Sequence, residues 1–132
     1  MTTYTFDVTI NIRLNEGDVR WILSNAIEHC IRTWCCGIEV SDDTENADIT
    51  NDIIQCKPLW FYTSEHTAHR LNLNAFLDGF RQWICDGHDI CGIVMGNGAV
   101  VPELMDDYVG CDQILQYALF GRIKYDEKGV VL

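Results

Sequence analysis

Three potential zinc ligands follow one another at short intervals in the second half of the chain. Cys85, His88 and Cys91 stand in the order C-x2-H-x2-C, and Cys111 lies twenty residues further on. Reduced cysteine and neutral histidine are typical ligands of tetrahedral zinc. The pattern lacks the two clean C-x2–4-C pairs of zinc ribbons and fingers. We therefore expect no metal and no other cofactor, and keep zinc at these four residues as the weaker alternative.

The chain has seven cysteines, and their odd number fits the reduced thiols of a cytosol better than a disulfide framework. We expect most of them to be small buried hydrophobic residues. A nucleophilic Cys–His pair would need positive surroundings to stabilise the thiolate. The chain has only nine lysines and arginines, and its cysteines stand in apolar or acidic contexts. The sequence therefore predicts a protein that is not an enzyme.

Carboxylates are the other chemical feature, with 20 acidic side chains and a formal net charge of −11. A solvated acidic surface that maintains solubility is their simplest interpretation, and no calcium-loop pattern is present. Closely spaced carboxylates also resemble the phosphates of nucleic acid and are attracted to the basic channels of enzymes that bind it. On this interpretation the partner-binding residues are Asp42, Asp43, Glu45, Asp48, Asp52, Asp106, Asp107 and Asp112.

Composition excludes several other classes. An isoelectric point near 4.5 argues against direct binding of nucleic acid, which needs a basic surface. The longest apolar runs are far shorter than the ~20 residues of a membrane span. The N-terminal residues alternate between polar and apolar types and do not resemble a secretory signal. We expect a cytoplasmic protein that forms one domain over residues 1–132 with a loose tail from about residue 126.

Hydrophobic periodicity predicts the elements that position these side chains. Tyr4–Ile12 alternates like a strand with one face on a core. A helix capped by Asp18 follows, and a short strand covers Gly37–Val40. Further along, the pattern predicts a short helix at 49–56, a hairpin of strands at 59–63 and 67–71, a helix capped by Asn72, brief strands at 93–95 and 122–125, and a last helix at 107–120 that ends at Gly121. This order predicts an α+β domain, a mostly antiparallel sheet with about three helices on one face.

The last of these helices carries a familiar sequence. Asp112–Gly121, DQILQYALFG, followed by Ile123 and Tyr125, resembles the closing signature of a family of small proteins encoded by bacteriophages and prophages of Gram-positive and gut bacteria. Leu71–Phe80 is similar to the central segment of that family, and Thr3–Ile12 to its opening strand. The resemblance brings no set of catalytic residues. It implies a phage protein that acts in the cytosol of a bacterial host, and short acidic phage proteins often inhibit host defence, as anti-CRISPR proteins do.

Charge and resemblance together predict an anti-defence inhibitor that binds a host nucleic-acid enzyme, with a Cas nuclease as the best candidate. One alternative is a sponge for a nucleotide signal, with Trp60, Tyr62, His69 and Arg70 as its candidate binding residues. Another is a structural or oligomeric accessory protein of the phage. A homodimer formed through an edge strand is compatible with each of these functions.

Overall fold

The computed structural model describes residues 1–40, 49–57 and 59–132. The helices of this described part are α1 (Glu16–His29), α2 (Ile49–Ile54), α3 (Leu73–Cys85) and α4 (Val109–Phe120). Its strands are β1 (Cys35–Glu39), β2 (Leu59–Thr63) and β3 (Ala68–Leu71), and two short 3-10 turns cover Ile31–Thr33 and Pro102–Leu104. The predicted α+β class is confirmed, with four α-helices where about three were expected.

The three strands form an antiparallel sheet in the order β1-β2-β3, with an irregularity in β1 between Cys35 and Gly37. Side chains of β2 alternate between the two faces of the sheet. Leu59, Phe61 and Thr63 are buried, whereas Trp60 and Tyr62 are exposed on the opposite face. The predicted hairpin of β2 and β3 is therefore confirmed, and one face of the sheet is open to solvent.

The core lies between the buried face of the sheet and the helices, and α3 and α4 make its closest helix pair. They approach most closely where Gly79 of α3 faces Ala118 of α4. A Cβ atom at position 79 would lie 2.5 Å from the backbone nitrogen of Ala118. This distance is far below van der Waals contact, so the helix crossing depends on a residue without a side chain.

The ends of the helices follow the predicted chemistry in two of three cases. The Asn72 side chain accepts a hydrogen bond from the Ala75 amide at 2.8 Å and caps α3. Gly121 ends α4 in the left-handed region, with φ of 72°. The prediction that Asp18 caps α1 is wrong. Asn15 is the cap, and Asp18 completes a capping box by accepting the Asn15 amide.

The predicted strand Tyr4–Ile12 is wrong. Residues 1–12 pair with no strand in the described part of the chain, and the first bridge is the parallel one between Arg13 and Ala99. The apolar side chains of the alternating pattern are all exposed, from 84% at Tyr4 to 38% at Ile12. Alternation creates a strand only when a neighbouring edge supplies hydrogen bonds and a core covers one face. Within the described residues, this segment has neither.

Two other predicted strands, 93–95 and 122–125, are reduced to isolated bridges, Val94 with Val100 and Tyr125 with Val131. In the C-terminal segment, which the sequence predicts to be loose, the Asp126 amide donates to the Val130 carbonyl and the Leu132 amide donates to the Lys124 carbonyl. The predicted strand Gly37–Val40 begins two residues earlier, at Cys35. Among the described residues no helix is both long enough and apolar enough to cross a membrane.

Candidate binding surface

A cleft of about 250 Å³ lies where the loop after α3 meets the start of α4. Its walls come from three separate segments: the end of α3 with residues 88–91, the segment 105–113, and Glu127 of the C-terminal turn. The floor contains the buried side chains of Trp83 and Met105. The cleft therefore combines apolar walls with side chains from distant parts of the sequence.

Three exposed carboxylates, Asp106, Asp107 and Glu127, line this cleft, and the described residues contribute no lysine or arginine to its lining. Ile90 also lines the cleft and is 91% exposed. Carboxylates beside low-dielectric walls concentrate a negative potential. The long apolar stem of a lysine or arginine can pack on such walls while its charged end meets the acids. The arrangement is suited to a basic side chain.

Local hydrogen bonds hold both walls in place. Asp107 accepts the Val109 amide at 3.0 Å and so fixes the start of α4. On the other wall, Asp89 accepts the Ile93 and Val94 amides at 2.9 and 3.1 Å. A carboxylate that binds backbone amides in this way replaces missing secondary structure. Asp89 is therefore a structural residue of the loop.

Beside the cleft, Tyr117 joins Asp86 to His88. The Tyr117 hydroxyl donates to Asp86 at 2.5 Å, so its oxygen accepts from Nε2 of His88 at 3.0 Å. Burial and the bond to Asp86 raise the pKa of Tyr117 to about 12, and the same hydroxyl holds the pKa of Asp86 below its usual value. The chain of bonds holds the His88 ring in one orientation at the wall of the cleft.

The predicted partner-binding residues are in three different situations. Asp106 and Asp107 are exposed at the cleft. Asp52 and Asp112, also predicted to bind the partner, are only 2% and 7% exposed, so their carboxylates are not open to a partner in this structure. Asp52 lies 3.8 Å from Nζ of Lys57. The other four, Asp42, Asp43, Glu45 and Asp48, lie outside the described residues.

Asp112 belongs to a buried polar cluster. Its two oxygens accept the indole N–H of Trp34 and the side-chain amide of Gln116, each at 2.8 Å. Burial raises the pKa of Asp112. The Gln116 side chain also accepts the backbone amides of Lys124 and Tyr125 at 2.8 Å and donates to the Tyr125 carbonyl at 3.2 Å. The cluster therefore fastens the C-terminal segment to α4.

The alternative zinc site is not assembled by the fold. The side chains of Cys85 and Cys91 are exposed, whereas Cys111 is buried and directs its thiol to the sulfur of Met105 at 3.7 Å. His88 uses Nε2 for Tyr117. Among the described residues, no three histidines, cysteines or acidic residues are arranged to hold a metal ion.

The expectation that most cysteines are buried is wrong. Only Cys111 is buried, and four thiols are exposed: Cys36, Cys56, Cys85 and Cys91. Burial is the main cause that raises the pKa of Cys30 to about 11 and that of Cys111 to about 12, and nearby Asp112 and Asp107 add to both shifts. The two thiols are therefore protonated at neutral pH.

We expect a thiol reagent at neutral pH to separate these groups. The four exposed cysteines should react first, because the reagent reaches them directly. Cys111 should react only in denaturant, because it is buried and its thiolate fraction is at least about a hundredfold below that of an ordinary cysteine. Time-resolved mass spectrometry after alkylation measures the rate at each site. Labelling of Cys111 as fast as Cys91 in the native protein would contradict this arrangement.

The candidate residues for a nucleotide do not share one pocket. Trp60, Tyr62 and Arg70 lie on the open face of the sheet, and Trp60 and Arg70 are cross-strand partners. His69 lies on the other face, where its ring meets Phe120 edge-on at 4.7 Å. Tyr62 donates to Glu39 at 2.5 Å, which brings a carboxylate beside the aromatic rings.

Sequence reasoning missed Glu127 and the position of His88 at the cleft. The negative charge of residues 126–127 follows a predicted strand, and no periodic pattern connects it to α4. Only the closure of the C-terminal turn, with its Asp126–Val130 hydrogen bond, brings it there. Among known proteins, no family model, no curated protein and no solved structure matches this chain.

Proposed function

We propose that this protein works by binding: it is a small acidic phage-type inhibitor that occupies a basic, nucleic-acid-binding surface of a host enzyme. The best candidate for that enzyme is a Cas nuclease of the host defence. The single observation that carries the proposal is the cleft before α4, where the described residues supply three exposed carboxylates, an apolar floor and no lysine or arginine. We propose no catalytic step and no cofactor.

The charge of the whole molecule supports this function. A net charge of −11 on 132 residues gives a field that attracts a basic surface from a distance and accelerates association. Several of the nine basic residues are also engaged locally, since Arg20 pairs with Glu16 at 3.1 Å and Lys124 with Glu65 at 3.1 Å. These ion pairs leave carboxylates in excess on the exposed surface.

The cleft gives this general attraction a specific contact. A partner that grips phosphates with arginines and lysines presents long side chains with charged ends. One such side chain fits a cleft of about 250 Å³ and places its charge beside Asp106 and Asp107. Exposed Ile90 adds apolar contact at the edge. The cleft thus binds a basic side chain that the enzyme would use to bind nucleic acid.

We expect the double variant Asp106→Asn, Asp107→Asn to bind the partner about tenfold more weakly at low salt, because two carboxylates at a desolvated contact lose roughly 1.4 kcal/mol together. An asparagine side chain at position 107 retains an oxygen to accept the Val109 amide, so α4 still begins correctly. The matched control is Glu28→Gln, Asp78→Asn, which removes the same charge from exposed positions of α1 and α3. It should bind nearly as well as the parent.

The assay begins with affinity capture of the tagged parent from host lysate at two salt concentrations. Each captured enzyme is then purified and titrated with the parent, the double variant and the control, in the presence and absence of duplex DNA or RNA. Binding that weakens with salt and competes with nucleic acid is the expected result. A partner that binds protein and nucleic acid at the same time, or that does not distinguish the two double variants, would refute the proposed mimicry.

A further inference from the structure

The N-terminal segment Thr2–Ile12 has the pattern of a strand but no partner strand in the part of its own chain that the structure describes. Tyr4, Phe6 and Val8 are 84%, 79% and 72% exposed, and Ile10 and Ile12 continue the same face. The other face carries threonines, Asp7 and Asn11. An exposed alternating segment with unpaired backbone groups readily pairs with another chain. Its apolar face needs a surface to cover it.

An apolar groove lies where this segment leaves the domain. It has a volume of about 190 Å³ and is lined by Leu14, Val19, Ile54, Leu73 and Leu77, together with Glu16. Leu77 is 40% exposed there. A cavity of about 150 Å³ lined by aliphatic side chains accepts a benzene ring. The groove therefore has room for one aromatic side chain.

The aromatic residues of the segment cannot reach the groove of their own chain without a reversal. Phe6 precedes Leu14 by eight residues, which span about 26 Å in an extended strand. Between Thr2 and Leu14 there is no glycine or proline to make a tight turn, and most residues are β-branched or aromatic types that favour extended backbone. The segment therefore carries Phe6 away from the groove beside its own Leu14.

We propose that two copies of this chain exchange their N-terminal strands: Thr2–Ile12 of each copy packs its apolar face on the other copy and places the Phe6 ring in the groove beside Leu77. A two-fold axis near Leu14 puts each strand beside the groove of the other copy. Such an interface is self-complementary, as symmetric dimers require.

Charge and area both favour a second copy as the occupant. The molecule has 20 acidic side chains, but Thr2–Ile12 carries a single charge, on Asp7. Two copies therefore meet where their mutual repulsion is smallest. The Tyr4 and Phe6 rings bury about 150 Å² or more each, so the four rings of a dimer account for about 600 Å², to which Val8, Ile10, Ile12 and the receiving surfaces add. The sum is in the range of stable interfaces, about 1,200–2,000 Å².

The test compares the same substitution on the two faces of the strand. Phe6→Asp should weaken dimerisation about a hundredfold or more, because each dimer loses two buried rings. Thr5→Asp adds the same charge at the neighbouring position on the polar face and should have a small effect. Sedimentation equilibrium at micromolar concentration measures the association. Both positions are exposed, so the fold itself should persist, and circular dichroism checks this.

A mixing experiment distinguishes strand exchange from other dimers. Leu77→Glu removes the groove and leaves the strand intact, whereas Phe6→Asp removes the ring and leaves the groove intact. Each variant alone should be monomeric, while their mixture should form a heterodimer with one intact contact, weaker than the parental dimer. A monomeric parent, an equal effect of Thr5→Asp, or a mixture that stays monomeric would overturn the proposal. A monomeric parent whose Phe6→Asp variant loses a host partner would instead assign the strand to that partner.

Discussion

Gln116→Ala is expected to destabilise the protein by about 3–5 kcal/mol, a large part of the stability of an ordinary domain. The Gln116 side chain is fully buried and makes four hydrogen bonds, to Asp112, to the Lys124 amide and to both backbone groups of Tyr125. Removal leaves two backbone N–H groups, one backbone carbonyl and a carboxylate oxygen without these partners. Buried polar groups without partners cost about 1–3 kcal/mol each.

Chemical denaturation with urea measures this loss, and Gln113→Ala is the matched control on the same helix. Gln113 is half-buried and accepts one hydrogen bond, from the Trp83 indole at 3.0 Å. Its removal should cost about 1 kcal/mol. Gln116→Glu keeps the size but loses the donor to Asp112, so it should be nearly as destabilising as alanine. Equal costs for Gln116→Ala and Gln113→Ala would mean that the cluster contributes no more than the single half-buried hydrogen bond of Gln113.

Gly79→Ala should destabilise the protein by about 3 kcal/mol and lower its melting temperature by about 10 °C. Alanine is the better helix former by up to about 1 kcal/mol, but here its Cβ would meet backbone atoms of Ala118 and Tyr117 at 2.5 to 2.9 Å. A backbone cannot rotate away as a side chain can, so α3 and α4 have to separate. The clash therefore outweighs the helix propensity.

Gly96→Ala is the control for this substitution. A Cβ at position 96 meets no atom of the described residues within 4 Å, so the expected change is within about 0.5 kcal/mol. Differential scanning calorimetry of both variants measures the two melting temperatures. An unchanged melting temperature for Gly79→Ala would show that the two helices are not held at this separation in solution.

The parts of the fold that local chemistry determines could be predicted from the sequence. The hairpin of β2 and β3 shows alternation on both sides of a short turn, and α3 combines a capping Asn72 with regularly spaced apolar residues. In each case, the residues that carry the signal lie within a few positions of one another. The helix end at Gly121 is a further case, because its left-handed backbone favours glycine.

The N-terminal segment shows where prediction from a local pattern fails. The alternation from Tyr4 to Ile12 indicates that one face needs cover, but it does not indicate which surface supplies it. In the described part of the chain no strand does. Strand pairing is a long-range property, and a single sequence contains no information about the neighbour.

Residue type and spacing predict which acidic residues bind the partner, but they do not indicate which of these residues are buried. Asp112 and Asp106 belong to the same acidic stretch, yet the oxygens of Asp112 accept hydrogen bonds in a buried cluster and Asp106 is exposed at the cleft. Asp112 and Gln116 are four residues apart on α4 and so share one helix face, which is a signal for a polar pair. The burial of that face depends on Trp34 and on Tyr125, which contact Asp112 and Gln116 and are not neighbours of each other in the sequence.

The hydrogen bond between Trp34 and Asp112 joins residues 78 positions apart, and the ring of Trp34 stacks on that of Tyr125 with centroids 5.7 Å apart. During synthesis on the ribosome, the Trp34 indole therefore lacks both partners until Asp112 has been translated, and lacks the ring of Tyr125 until residue 125 has been translated. Local elements such as α1 and the hairpin can form earlier, but contacts between such distant residues close the chain late. In that interval the Trp34 side chain is exposed and available to chaperones. The time needed to translate the residues up to Tyr125 sets the duration of this exposure.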